Sequence, residues 1–186
     1  GVDWQTGSIG IPTEAGEVKT LGTHPDQEMD MGDGGHPVNR FEVEWSPDGT
    51  MIASVYQWGR SVAVWDVATS AVRSIKTDVP TLPSVIQLCL SPSWSGDSKF
   101  LSVISQWLDL AADTTNPAGD ALLVIDVEQE RIDVLPVIER AGIIWTAEFS
   151  PDGSKIAFAG VDHVEVFEKG STGAWARTLL GAEGTA

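Results

Sequence analysis

The sequence predicts an all-β chain. Three observations carry this. A short Ser-Pro segment recurs three times between apolar runs, twice as Ser-Pro-Asp-Gly (residues 46–49 and 150–153). The flanking runs alternate apolar and polar residues, as half-buried strands do. No stretch sustains the 3.6-residue period of an amphipathic helix, so very little helix is expected.

Three segments align as repeats: Phe41–Ile75, Ile86–Leu135 and Ile143–Leu180. Their anchors are Trp45-Ser-Pro-Asp-Gly, Leu90-Ser-Pro and Phe149-Ser-Pro-Asp-Gly. Pro at the second turn position and Gly after Asp suit a tight turn between antiparallel strands. Each unit opens with a strand running into this turn. A second strand follows at Met51–Val55, Phe100–Ser105 and Lys155–Ala159. A third ends apolar then acidic, as VAVWD, LLVID and VEVFE. A weaker fourth strand closes the unit at Val72–Ile75, Ile132–Leu135 and Arg177–Leu180. Four short strands per unit of about 40–45 residues is the pattern of a β-propeller blade.

Ser8–Leu21 aligns without gaps to Val62–Ile75, matching Val18 with Val72 and Lys19 with Arg73. The expected organisation is the outer half of a blade over 1–21 and an acidic Gly-, Met- and His-containing loop over 22–37. Blades follow over 38–82, 83–138 and 139–181, with a tail over 182–186. The middle blade carries an inserted loop at 111–120, a feature that in repeat folds gathers on one face. The fold expected is a partial β-propeller of about three and a half four-stranded antiparallel blades.

Gly35–Ile75 resembles a WD40 repeat. It has Gly35-His36, the Ser-Pro-Asp-Gly turn, Ile52-Ala53-Ser54 in the second strand, and Trp65-Asp66 closing the third. The third unit, FSPDGSKIAFAG, looks like the related PD40 repeats of TolB-type and peptidase-associated propellers. In the WD40 family a histidine, a Ser or Thr, a turn Asp and the tryptophan form a buried hydrogen-bond network. The resemblance therefore implies structural roles for His36, Ser54, Trp65 and Asp66. The turn Asp is absent from the best repeat, where Gln57-Trp58-Gly59 stands, although Asp162 falls at that place in the third unit.

Composition narrows function. The 186 residues carry 11 Lys+Arg against 27 Asp+Glu, a formal charge of −16. Such a field repels nucleic-acid phosphates and anionic lipid, so neither is an expected partner. No apolar window has the length of a membrane span, and no basic-then-apolar leader opens the chain. Beginning at Gly1, the chain is expected to be a processed product or an internal piece. Its compartment stays open between cytoplasmic and exported after processing. A single Cys89 forms no internal disulfide framework; on the alternating strand IQLCLS it reads as a buried inert thiol.

Three sets of residues could carry chemistry. No Gly-x-Ser-x-Gly elbow is present, and His24, His36 and His163 are the imidazoles that could act as bases. A cation site could use His24, Asp26, Asp30 and Asp33, with Ca²⁺ or a transition metal as ligand, although the spacing matches no known loop template. The alternative is a solvated acidic loop with no cofactor. Among eight tryptophans, Trp45 and Trp65 read as core, whereas Trp58, Trp94 and Trp107 lie in or beside turns. The latter three fit either a binding surface or packing between blades.

The functional expectation is a non-catalytic interaction scaffold. Its partner is another protein, the remaining blades of a larger propeller, or a second copy. The alternatives are a propeller fragment of a prolyl-oligopeptidase-type serine peptidase and a carbohydrate- or metal-binding propeller.

Overall fold

The computed structural model describes residues 2–3, 8–25, 41–56, 59–77, 85–109, 117–136, 146–160 and 164–180. Among the described residues, fifteen strands form four antiparallel sheets, each with its strands in sequence order or its reverse. The first holds β1 (Val2–Asp3), β2 (Ser8–Pro12) and β3 (Val18–Thr23). The second holds β4 (Phe41–Trp45), β5 (Met51–Tyr56), β6 (Ser61–Asp66) and β7 (Val72–Lys76). The third holds β8 (Val85–Trp94), β9 (Phe100–Asp109), β10 (Pro117–Asp126) and β11 (Arg131–Pro136). The fourth holds β12 (Thr146–Phe149), β13 (Lys155–Ala159), β14 (Val164–Lys169) and β15 (Trp175–Leu180). No helix among the described residues is long and apolar enough to cross a membrane.

Sheets stack face to face, and each seam has its own core. Ile9 and Leu21 of the first sheet pack with Ile52, Ala63 and Trp65 of the second. Ala53, Val55, Val62 and Val64 of the second pack with Cys89, Trp94, Leu101 and Val103 of the third. Ile104, Leu122 and Val124 of the third pack with Ala147, Ile156, Phe158 and Phe167 of the fourth. The period-2 alternation explains this: odd and even positions of one strand serve opposite seams. Cys89 lies fully buried in this packing.

The Ser-Pro-Asp-Gly turns repeat atom by atom. Ser46 Oγ donates to Asp48 Oδ1 at 2.6 Å and accepts the Met51 N–H at 2.9 Å, while Thr50 N–H reaches Asp48 Oδ1 at 3.0 Å. Ser150, Asp152, Ser154 and Lys155 repeat the same bonds. Gly49 and Gly153 supply the left-handed φ of 72° and 70° that the turn needs.

The third sheet departs from the repeat alignment. Its turn is Ser95-Gly96-Asp97-Ser98, with Ser95 Oγ donating to Asp97 Oδ1 at 2.6 Å and accepting the Phe100 N–H at 2.9 Å. The expected anchor, Ser91-Pro92, lies inside β8 at a register shift between Leu90 and Ser93, with Ser91 at φ 53°. Gly96 takes the place of proline because neighbouring turns touch. A Cβ there would sit 2.0 Å from the Pro151 carbonyl oxygen. On the other side, the Asp48 N–H donates to Ser98 Oγ at 3.2 Å.

Two further ranges differ. The first sheet has a third strand, β1, beyond the two that the alignment to Val62–Ile75 implies. β10 begins at Pro117, so 117–120 are strand although they fall in the range expected as loop.

Candidate functional site

Two places bring chemistry-bearing side chains together: the seam between the first two sheets, and the row formed by the first strands β4, β8 and β12.

In the seam, β5 and β6 pair with Ser54 opposite Ala63 and Ile52 opposite Trp65. This register sets the Trp65 indole over Ser54, and Nε1–H donates to Ser54 Oγ at 2.8 Å. Both residues are buried. His24 enters from the end of β3 and is also buried, with Nε2 3.2 Å from the Ser54 carbonyl oxygen. A carbonyl only accepts, so Nε2 carries the proton. The imidazole lies 5.9 Å from the Phe41 ring and 6.4 Å from the Tyr56 ring. Gly22 clears the path, since a Cβ there would lie 2.8 Å from the Trp65 ring.

The Trp65–Ser54 contact thus stands with His24 beside it. His36, to which the resemblance gives the histidine role, lies outside the described residues. The available signal is Gly22-Thr23-His24 directly at the end of a strand, where glycine admits the indole. Asp66 caps the next turn: its Oδ1 accepts from Thr69 N–H and Thr69 Oγ1, both at 2.7 Å. These bonds hold the Asp66 carboxyl below its ordinary pKa.

Of the possible cation ligands, His24 has its Nε2 committed to the Ser54 carbonyl, and Asp26, Asp30 and Asp33 lie outside the described residues. Among the described residues no three His, Cys, Asp or Glu side chains converge.

The tryptophans divide. Trp94 is 4% exposed, packed in the seam between the second and third sheets, with Nε1–H donating to the Glu44 carbonyl at 3.2 Å. Its place beside a turn hid this, because the turn itself is folded against its neighbours. Trp107 belongs to β9, its side chain outside the described set, and Trp58 lies outside the described residues. Trp45, expected in the core, is instead 47% exposed, beside Val43 at 38%. Both stand on the β4 face turned toward the first sheet, which has three described strands where the others have four.

In the row of first strands, β4 and β12 carry carboxylates. Glu42 Oε2 accepts the Ser91 N–H at 2.6 Å. Glu44 is half-buried beside β8. Burial pushes its carboxyl up to about 7, against the Trp94 N–H, which favours the ionised form; the charge of Glu148 adds to the rise.

No family model matches the sequence, and no curated protein matches it. Solved structures do. Dipeptidyl peptidase 4 of Porphyromonas gingivalis superposes with a TM-score of 0.57 at 16% identity, over 86% of this chain and 26% of that one. The Cps50 (Swd1) β-propeller domain of Myceliophteria thermophila gives 0.53 at 18%, over 76% and 39%. TolB of Acinetobacter baumannii gives 0.52 at 18%, over 91% and 37%. At these identities the likeness shows the fold: this chain is a partial β-propeller. It spans between 26% and 39% of the length of these three structures.

Proposed function

We propose that the chain is a non-catalytic segment of a larger or multi-chain β-propeller and serves as a protein-interaction scaffold. The observation that carries this is the exposed pair Val43 and Trp45, on a sheet face opposite a sheet with three described strands. Adjacent exposed large apolar side chains on one strand face suit an association surface. The charge of −16 favours a partner with a basic patch.

The test is an intact-mass and oligomer measurement on native material. Co-migration with further propeller blades, or with a protein partner, is expected, together with protection of Trp45 from iodide quenching. A stable monodisperse monomer with Trp45 freely quenched would overturn the reading.

The likeness to dipeptidyl peptidase 4 supports a second reading, a propeller that gates a serine peptidase. It requires a hydrolase segment with Gly-x-Ser-x-Gly in the parent polypeptide or a partner chain.

A further inference from the structure

The two junctions between described first strands use matching positions. The turn serines Ser46, Ser95 and Ser150 align the units, which makes Glu42, Ser91 and Thr146 equivalent, and likewise Glu44, Ser93 and Glu148. On β4, Glu42 Oε2 accepts the Ser91 N–H at 2.6 Å; Trp94 Nε1–H donates to the Glu44 carbonyl at 3.2 Å, while the Trp94 backbone N–H favours the ionised form of the Glu44 carboxyl. On β8, Ser91 Oγ accepts the Ala147 N–H at 3.4 Å, and Ser93 Oγ accepts the Phe149 N–H at 3.2 Å.

The accepted N–H groups belong to sheet edges. Ser46 N–H bonds the Met51 carbonyl, Ser95 N–H that of Phe100, and Ser150 N–H that of Lys155. Alternation along an antiparallel ladder then turns the N–H of the preceding residue, Trp45, Trp94 or Phe149, away from its own sheet. An aromatic residue occupies this donor position in all three units. Glu42 does at one seam what the Ser91 hydroxyl does at the next, with the accepted N–H one residue earlier. β8 adds a local adjustment. Pro92 stands at the position of Ala147 and has no N–H, and the bulge presents the N–H of Ser91 instead.

Thr146 and Glu148 are the last members of this series, and both are exposed. We propose that Thr146 and Glu148 accept the outward N–H groups of the first strand of a further four-stranded sheet, and thereby set the register in which the rest of the propeller docks on β12. The occupant is an extended strand that ends in an aromatic residue followed by a Ser-x-Asp turn. Its aromatic N–H falls on Glu148, and the N–H two residues earlier falls on Thr146. This rests on the reading of the chain as part of a larger ring, and the share of each neighbour's length that it covers argues for such an occupant.

The test has two arms. The first reads amide exchange in the 186-residue chain. Ser93→Ala should speed exchange at Phe149 about tenfold, and Ser93→Thr should not, since a lost hydrogen bond opens one amide locally. An unchanged Phe149 would overturn the series. The second titrates a synthetic peptide of residues 41–50 into labelled protein. Resonances of Thr146 and Glu148 should shift. N-methylation of the peptide's tryptophan amide, or Glu148→Ala, should weaken binding about tenfold, whereas Glu148→Gln keeps an acceptor and should bind. Absence of shifts at these residues, or binding indifferent to both changes, would overturn the proposal. Native mass reports ring membership separately: a chain found in a larger ring, with Glu148→Ala silent, keeps the scaffold reading and loses this register.

Discussion

Trp65 donates its indole N–H to Ser54 Oγ at 2.8 Å across β5 and β6, with both side chains out of water. A buried donor left without its partner costs more than the bond contributes when made. Trp65→Phe should therefore destabilise by about 1–3 kcal/mol, and Ser54→Ala by a similar amount. In a double-mutant cycle read by urea unfolding the two losses should fall well short of additive. Full additivity would show that the pair does not act as a unit.

Glu44 makes stability depend on pH near neutrality. Its carboxyl is raised from 4.5 to about 7 in the folded chain, so the folded state holds the proton more tightly than the unfolded state. The stabilisation is fully present below 4.5 and is lost as pH rises through about 7. The urea midpoint should fall between pH 5 and 8, and Glu44→Gln should flatten that part of the profile. A Glu44→Gln profile parallel to the parent would show that another group titrates there.

The turn acids Asp48, Asp66, Asp97 and Asp152 respond in the opposite sense. Asp152 is lowered to about 2 by the Ser150 hydroxyl and the Ser154 N–H. Its contribution is present above 3.8 and is lost as pH falls toward 2. Asp152→Asn should remove that contribution, lowering the urea midpoint at neutral pH and flattening the fall in stability between pH 3.8 and 2. Equal urea midpoints of variant and parent at about pH 7 would count against the ionised turn as a source of stability.

Gly96→Ala places a Cβ 2.0 Å from the Pro151 carbonyl oxygen, a backbone atom that cannot swing aside. A loss of about 1–3 kcal/mol is expected in thermal or urea unfolding. A neutral result would mean that the two turns separate at little cost.

Arg177 Nε lies 3.0 Å from Glu165 Oε2, and Glu165 is fully buried. Arg177→Met should cost up to about 3–5 kcal/mol by removing one counter-charge from a buried carboxylate, and adding Glu165→Leu should recover much of it. No recovery in the double variant would assign the loss to packing.

Much of this fold was legible because turn chemistry and period-2 alternation are local. Asp48 and Asp152 sit in turns that the sequence marks by composition alone. The middle unit was not legible in the same way. Ser91-Pro92 imitates the anchor, while the true turn lost its proline to the approach of Pro151, a long-range contact that no local pattern encodes. The tryptophans show the same limit: Trp94 follows a bulge and is buried by a neighbouring sheet, whereas Trp45 lies in a regular strand and is exposed. His24 contacts Ser54 from 30 residues away, so its role depends on how sheets stack rather than on its own surroundings in the chain.

The outer seams have a simple grammar. Lys19 Nζ on β3 donates to the Val67 carbonyl at 2.8 Å, and Arg73 Nη1 on β7 donates to the Val127 carbonyl at 3.0 Å. Each cation reaches a backbone oxygen just past the third strand of the following sheet, a group present whatever side chain stands there. The second sheet thus accepts at one flank and donates at the other. A unit of this kind joins a like neighbour at this flank without inventing a new contact, whereas the third sheet, with Asp133 at the register place of Arg73, ends the series and must meet its neighbour by other means.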